Sequence, residues 1–295
     1  NSLGFRDYQN KLVKKNSTKE RILLIGDSFI EGTGYDYEYT IGGLLQNKLG
    51  KKYEILNSAV GSYSPSIYYK KINHFISEGY NFDQAVVFLD VSDIYDELYI
   101  KFDSNENIIT EKNTKKRSNL KKNFLSFGNF LRDNTISFRF LNILSDKTEI
   151  YKNYIKLKHK SSKFFNKSFF KTNRDDVMFY RMTHVDRGYW TFNEEKYAHV
   201  KNGLEQSEKY LNKLFNLLNE NNIKSYFVIY PWPTQIHFGD TKHEKFWKEF
   251  ARKNNINFIS LYDNFSANKS RKFILDNFIY GDIHWNKNGT KIVLD

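Results

Sequence analysis

The sequence predicts a three-layer α/β/α sandwich around a central parallel five-stranded sheet. Two observations predict it. Short apolar runs alternate with longer segments of helical periodicity, the pattern of strands joined by helical crossovers. The runs also lack a strict in-out alternation, which marks strands covered on both faces.

The elements follow in order. Arg21–Ile25 is the first strand, and it stops abruptly at Gly26-Asp27-Ser28-Phe29. Thr40–Leu49 is a helix with Ile41, Leu44, Leu45 and Leu49 on one face, and Gly50 ends it. Tyr53–Leu56 is the second strand. Ser64-Pro65-Ser66 then starts a helix over Ile67–Ile76. Gln84–Leu89 is the third strand. The alternation breaks from Asp96 to Arg187, a long, basic, Phe-rich stretch containing Phe124, Phe127, Phe138, Phe140, Phe164-Phe165 and Phe169-Phe170. It reads as a mostly helical insertion, 96–187, between the third and fourth strands of a single domain spanning 1–295. Val200–Leu218 is a helix with Val200, Leu204, Leu211, Leu214, Phe215 and Leu218 at helical spacing. Ser225–Tyr230 and Asn257–Leu261 complete the strands.

Composition narrows the function classes. The formal charge of +12 is concentrated: Lys112–Arg174 carries 17 Lys/Arg against 3 Asp/Glu, and the charges elsewhere nearly cancel. No nucleic-acid-binding motif accompanies this basicity, so a nucleic-acid partner is not expected. There is no cysteine, hence no disulfide, thiolate chemistry or thiolate metal site. His74, His159, His184, His199, His237 and His243 show no metal-ligand spacing, and His237 and His243 read as surface residues. No cofactor and no metal are expected. No apolar run approaches the ~20 residues of a membrane span. Membrane contact is expected only through an upstream anchor or the basic insertion. The chain begins at Asn1 and stops at Asp295 within a helical pattern, so it reads as a trimmed or processed piece.

The chemistry lies at the two ends. Ser28 sits where a strand stops, and Gly281-Asp282-Ile283-His284-Trp285-Asn286 stands near the other terminus. A serine hydroxyl needs a base to take its proton as it attacks. His284 is the candidate base, and Asp282 the residue that orients its ring and stabilises the imidazolium. An acyl-transfer oxyanion needs preorganised donors. The backbone N–H groups of Ser28 and of Gly61, in Asn57-Ser58-Ala59-Val60-Gly61, are candidates. The loop after the third strand, Asp90-Val91-Ser92-Asp93, is the source of a third.

These blocks, Gly26-Asp27-Ser28-Phe29, Asn57 to Gly61, the loop after the third strand, and Asp282-x-His284-Trp285-Asn286-x-x-Gly289, resemble those of the SGNH (GDSL) hydrolase superfamily, in its order and from end to end apart from the insertion. Asn1 to Asp7 and Tyr230-Pro231-Trp232-Pro233 resemble segments of bacterial members. The resemblance implies a flavodoxin-like fold, no metal, attack by Ser28 on an ester carbonyl, His284 as base, Asp282 as its partner, and oxyanion donors at Ser28 and Gly61. It also favours a bacterial periplasm or cell envelope over cytoplasm. One position departs from the pattern: where the family has Asn before Asp, this chain has Ser92 before Asp93. Either Ser92 or the neighbouring Asn57 then supplies the third donor, or the site has only two. The Asp-x-His spacing is also tighter than Asp-x-x-His and is familiar in some polysaccharide-modifying relatives. Trp232 between two prolines reads as core packing or a sugar-stacking platform. With Asn57 and Asp93, it completes the candidate substrate-binding set.

The leading expectation is an esterase that removes a small acyl group, acetyl by preference, from a carbohydrate or other polar ester. The partner is thus an ester-bearing small molecule or polysaccharide. Two alternatives stand beside it: a polysaccharide O-acyltransferase using the same three residues, and a non-catalytic glycan-binding protein on a hydrolase fold.

Overall fold

The computed structural model describes residues 1–103, 174–266 and 269–294. Residues 1–101 and 174–295 form one compact unit, and 102–173 a second. The first unit carries the sheet. Its elements are β1 (Glu20–Ile25), α1 (Ser28–Glu31), α2 (Ile41–Leu49), β2 (Tyr53–Asn57), α3 (Pro65–Ser77), β3 (Gln84–Leu89), α4 (Asp93–Glu97), α5 (Arg174–Thr183), α6 (Glu194–Glu220), β4 (Lys224–Ile229), α7 (Pro233–Phe238), α8 (Lys242–Lys253), β5 (Asn257–Ser260), α9 (Tyr262–Ser266), α10 (Arg271–Asn277) and α11 (Lys287–Ile292). All five strands are parallel, in the order β2-β1-β3-β4-β5. This is the expected α/β/α architecture, and each expected strand lies within a residue of the observed one.

The strand order positions the site. Chain direction across the sheet reverses after β2, so the loops leaving β1 and β3 part at neighbouring carboxyl ends. That is the topological switch point where open α/β sheets bind ligands. Register brings the ends level: Leu24 of β1 pairs with Asn57 of β2, and Ile25 with Val87 of β3. Right-handed crossovers send α2 to one face and α3, α6 and α8 to the other. On the second face, Phe227 of β4 meets Phe215 of α6 and Trp247 and Phe250 of α8, with ring centroids 5.5, 5.9 and 6.1 Å away. The strands read as apolar because both faces are covered: Leu23, Leu24, Val87, Leu89, Phe227 and Ile229 are all buried.

The start of α3 is capped from across the sheet. Glu97 of α4, buried, accepts from Ser66 N–H at 2.6 Å and Ser64 Oγ at 2.8 Å, and Gln206 of α6 donates to its other oxygen at 2.7 Å. A carboxylate suits this position because it faces the positive end of the helix.

Most of the expected 96–187 insertion lies outside the described residues. Its flanks belong to the sheet unit. Beyond α5, the 3-10 turn Asp186–Thr191 anchors on β3's loop through Trp190, fully buried, whose indole N–H donates to Val91 O at 2.9 Å. One expectation is corrected here: His243 is not on the surface. It is buried, its Nδ1 lies 3.2 Å from Tyr262 Oη, and burial pushes its pKa down to about 3. Its position on the inner face of the strongly amphipathic α8 explains this. His237 is exposed, as expected. No described helix is long and apolar enough to cross a membrane.

At the opposite end of β1 from Ser28, Arg21 is buried. It donates to Glu54 Oε2 at 2.8 Å and to the carbonyls of Lys14, Lys15 and Asn81 at 2.6, 2.8 and 3.2 Å. Removing one partner of such a pair strands the others, which typically costs about 3–5 kcal/mol. Arg21→Ala is therefore expected to lower the urea midpoint by an amount equivalent to about 3 kcal/mol at unchanged m-value, the low end because Glu54 is partly solvated.

Candidate active site

β1 ends at Gly26, where packing allows no side chain. A Cβ there would lie 2.7 Å from Ile30 Cγ1 and 3.3 Å from Phe88 Cβ. The chain turns at once into α1. Asp27 caps that helix, accepting from Phe29 N–H at 3.0 Å. Ser28 opens the helix, half-buried, and Gly32 closes it in the left-handed region at φ 84°.

The sequence-distant loop 278–286 reaches Ser28. Phe278 and Trp285 pair across its base, and Ile279 N–H donates to His284 O at 2.8 Å. Gly281 takes φ 78° beside Met178 of α5, leaving no room for a side chain. Asn286 caps α11 and donates to the carbonyls of Asp276 and Phe278. His284 Nε2 then lies 2.8 Å from Ser28 Oγ, and its Nδ1 lies 2.5 Å from Asp282 Oδ1. The backbone N–H of His284 also donates to Asp282 Oδ1, at 2.9 Å. The short Asp-x-His spacing thus forms a closed turn in which one carboxylate oxygen holds both the peptide and the ring. Phe29, beside the serine, sets the imidazole against a wall: its ring centroid is 4.6 Å from His284, 4.8 Å from Trp285 and 5.0 Å from Tyr230.

The electrostatics favour a base. Burial pulls the His284 pKa down, but the hydrogen bond and charge of Asp282 outweigh it, with Asp27 and Asp90 adding, so the net shift is upward from 6.5. Burial also opposes ionisation of Asp282, and the donors of His284 overcome that, holding its pKa below the usual value. Charge on the imidazolium is therefore supported from both sides.

Beneath Ser28 lie three buried carboxyls, Asp27, Asp90 and Asp93, with oxygens within 4.8 Å of one another. Asp27 takes Tyr230 Oη at 3.2 Å, Asp90 takes the Trp232 indole N–H at 2.6 Å, and Asp93 takes the Tyr68 hydroxyl at 3.0 Å. Burial raises the pKa of all three, with mutual repulsion adding at Asp90 and Asp93, and Asp90 is pushed up to about 7. Such a set holds protons readily: Asp93 Oδ1 has no partner, and a proton there relieves the repulsion. Ser28 Oγ also lies 3.0 Å from Asp27 Oδ2. When Asp27 is ionised, it competes with His284 for the single hydroxyl proton. When Asp27 is neutral, it can donate to Ser28 Oγ, and the serine proton is left to His284.

The remaining expected site residues sit differently from expectation. Gly61 is adjacent to Ser28, since a Cβ on it would lie 3.5 Å from Ser28 Cβ, but its N–H donates to Glu31 Oε2 at 2.8 Å. Ser92 is buried and turned toward Asp90: its N–H donates to Asp90 Oδ1 at 2.6 Å, and its hydroxyl favours the charged form of that carboxyl. Asn57, fully buried, donates to Ile30 O at 2.7 Å and accepts from Ala59 N–H at 3.1 Å, so both ends of its amide brace loops. Asp93 likewise braces its own loop, accepting from Asp90 N–H at 3.0 Å. Trp232 is buried with its indole on Asp90 and stacks on no accessible surface. Asn57, Asp93 and Trp232 are thus supports of the site and do not line a sugar path. Each is polar at one end only because a buried neighbour needs a partner.

Sequence reasoning missed Glu31, Arg6 and Arg187. Arg6 donates to the carbonyls of Glu31 and Gly32 at 2.7 and 2.8 Å, and to that of Tyr35. Arg187 donates to Ser92 O at 3.1 Å and pairs with Asp96 at 2.7 Å. A signal existed for Glu31: it stands three residues after Ser28 on one helix, hence on the same face. None existed for the arginines: Arg6 bonds only backbone carbonyls, and Arg187 reaches Asp96 and Ser92 O across a long sequence gap.

A narrow cleft opens at Ser28 and His284, walled by Phe29, Ile41, Tyr35 and Trp285, with free volume of about 10 Å³. Fold and site together define a three-layer α/β/α protein with a Ser28–His284–Asp282 relay at the switch point of its sheet. No family model matches the chain, and no curated protein matches it. Solved structures do match. TesA is 10% identical, with 93% of this chain and 94% of that one covered, at a TM-score of 0.47. The psychrotrophic esterase EstA from Pseudoalteromonas sp., inhibited by monoethylphosphonate, is 10% identical over 93% and 92%, at 0.46. The acetyl xylan esterase AlAXEase is 14% identical over 92% and 95%, at 0.46. At this identity the chemistry has to be argued from the present chain's own residues.

The raised His284 pKa has a testable consequence. By NMR, His284 is expected to titrate above 6.5, and in Asp282→Asn to titrate lower, because burial is then opposed only by the charges of Asp27 and Asp90. A raised folded-state pKa stabilises fully below 6.5 and fades as pH climbs through the folded value. Asp282→Asn is therefore expected to lose more stability in urea melts near about pH 5 than near about pH 9. An equal loss at both would contradict the assigned shift.

Proposed function

We propose that the chain is a serine esterase of the SGNH type, cleaving a small acyl group, acetyl by preference, from a carbohydrate or similarly polar ester. The observation that carries the reading is the unbroken relay from Ser28 Oγ to His284 Nε2 at 2.8 Å and from His284 Nδ1 to Asp282 at 2.5 Å. Ser28 Oγ attacks the ester carbonyl as its proton passes to His284 Nε2. The imidazolium, held by Asp282, returns that proton to the departing alcohol. Water then enters, gives a proton to His284, and attacks the acyl-serine. The carboxylic acid leaves as the proton returns to Ser28 Oγ.

The cleft supports a small acyl group. Among the described residues, the free volume beside Ser28 is about 10 Å³, near the space one water needs, so a small acyl group asks the least opening of the cleft. The alcohol side opens outward past Thr33, Tyr35 and Tyr39, whose hydroxyls suit a polyol.

The test is mass spectrometry after treatment with a fluorophosphonate, alongside hydrolysis of 4-nitrophenyl acetate. The expected result is a single adduct on Ser28, absent in Ser28→Ala, with kcat in that variant down by about 10⁴-fold or more. Turnover of aryl acetate retained in Ser28→Ala would overturn the assignment.

A further inference from the structure

Gly61 N–H, the donor expected to face a substrate oxyanion, is held by a carboxylate of the same chain. Glu31 Oε2 accepts from it at 2.8 Å. Glu31 lies one helical turn beyond Ser28 on α1. Its backbone is fixed, with Arg6 on its carbonyl at 2.7 Å and Gly32 N–H returning to Ser28 O at 3.0 Å. Only its side chain is free to move. The contact is a charge-assisted bond between an anionic oxygen and a backbone N–H, within van der Waals reach of the nucleophile. Chemically it imitates the oxyanion of a tetrahedral intermediate, or the carboxylate product.

A second partner waits for that carboxylate. Lys71 of α3 acts on Glu31 through its charge but makes no ion pair among the described residues. Its ammonium donates to Ser58 O at 2.8 Å and lies 5.2 and 5.1 Å from the rings of Phe5 and Tyr63. Aromatic rings flank it, and burial pushes its pKa down to about 8. An anion drawn closer would relieve that burial.

We propose that Glu31 is a further residue of the ester reaction, occupying the Gly61 donor in the resting site and yielding it to the substrate carbonyl by turning toward Lys71. The inference rests on Ser28 being the nucleophile. The ester carbonyl oxygen and the Glu31 carboxylate compete for one N–H. Apparent affinity is reduced by the fraction of molecules in which the donor is free. The effect falls on ester binding and on the approach to the tetrahedral state, and it leaves the Ser28–His284–Asp282 relay in place. A neutral carbonyl is a weaker acceptor than a carboxylate. The exchange therefore needs Lys71 to hold the displaced charge.

The test compares rates of Ser28 modification by a fluorophosphonate, whose phosphoryl oxygen seeks the same donor, and KM and kcat for 4-nitrophenyl acetate. Glu31→Ala is expected to label about tenfold faster than wild type and to raise kcat/KM mainly through a lower KM. Glu31→Gln keeps size and an acceptor oxygen without charge, and is expected to fall between. It also serves if the alanine variant does not fold. Lys71→Met keeps the packing against Phe5 and Tyr63 and removes the receiving charge, so it is expected to label more slowly. In the double variant Glu31→Ala/Lys71→Met, the lysine should no longer matter. Faster labelling of Ser28 in both Glu31 variants than in wild type supports the inference. Wild type labelled, with both Glu31 variants no faster, overturns it and leaves the nucleophile standing. No labelling in any variant overturns the nucleophile, and the inference with it.

Discussion

Asp27 accepts from Phe29 N–H at 3.0 Å and from Tyr230 Oη at 3.2 Å, while buried almost completely at the end of β1. Much of the site depends on these two bonds. The first starts a helix immediately after a strand and so places Ser28 at the sheet's carboxyl edge. The second ties that turn to the end of β4, two strands away. A carboxyl at this depth strongly resists ionisation. It survives there because donors surround it and because Asp90 and Asp93 lie close enough to share protons with it. The turn is therefore held by a network whose charge state is coupled to that of His284. Asp27 and Asp90 both favour the imidazolium.

The His loop is positioned by aromatic packing as much as by hydrogen bonds. Phe29 follows Ser28 and packs beside the imidazole, its ring against His284, Trp285 and Tyr230. Phe265 of α9 stacks on Trp285, with centroids 5.8 Å apart and planes within 15°. A ring wedged this way has few rotamers. The imidazole keeps its distance to Ser28 although the loop that carries it is partly exposed. A catalytic geometry built on packed rings tolerates little volume change, because cores at native density transmit small displacements.

The fold was legible because its signals are local and redundant. Buried parallel strands have to be apolar on both faces, and each crossover helix shows its own stripe. The Ser28–His284–Asp282 relay was legible for another reason: strand order fixes which loops meet, and the residues at those loop ends have few other uses. What sequence reading could not see was which donor is already taken. Trp232, Asn57 and Asp93 have the chemistry of ligand contacts, yet their partners are Asp90, Ile30, Ala59 and Tyr68. His243 was placed outside because an imidazole is polar. Burial between Trp190 and Tyr262 simply keeps it neutral. Side-chain pairing in a core depends on geometry at the ångström scale, and residue type does not encode it.

Gly61 carries this point furthest. A glycine after β2 is consistent with an exposed N–H close to the nucleophile, and packing does leave room for nothing larger without moving Glu31. Yet the chain turns at Ser62 through the left-handed region, φ 63°, a conformation costly for a residue with a Cβ. The Gly61 amide, one residue earlier, points toward α1, where the Glu31 carboxylate accepts from it at 2.8 Å. A strained turn and a half-buried carboxylate thus flank a single N–H beside the serine. In the proposed reaction the Gly61 donor is therefore preorganised in direction but not in availability, and the difference between those two properties is carried by one side chain on the same short helix as Ser28.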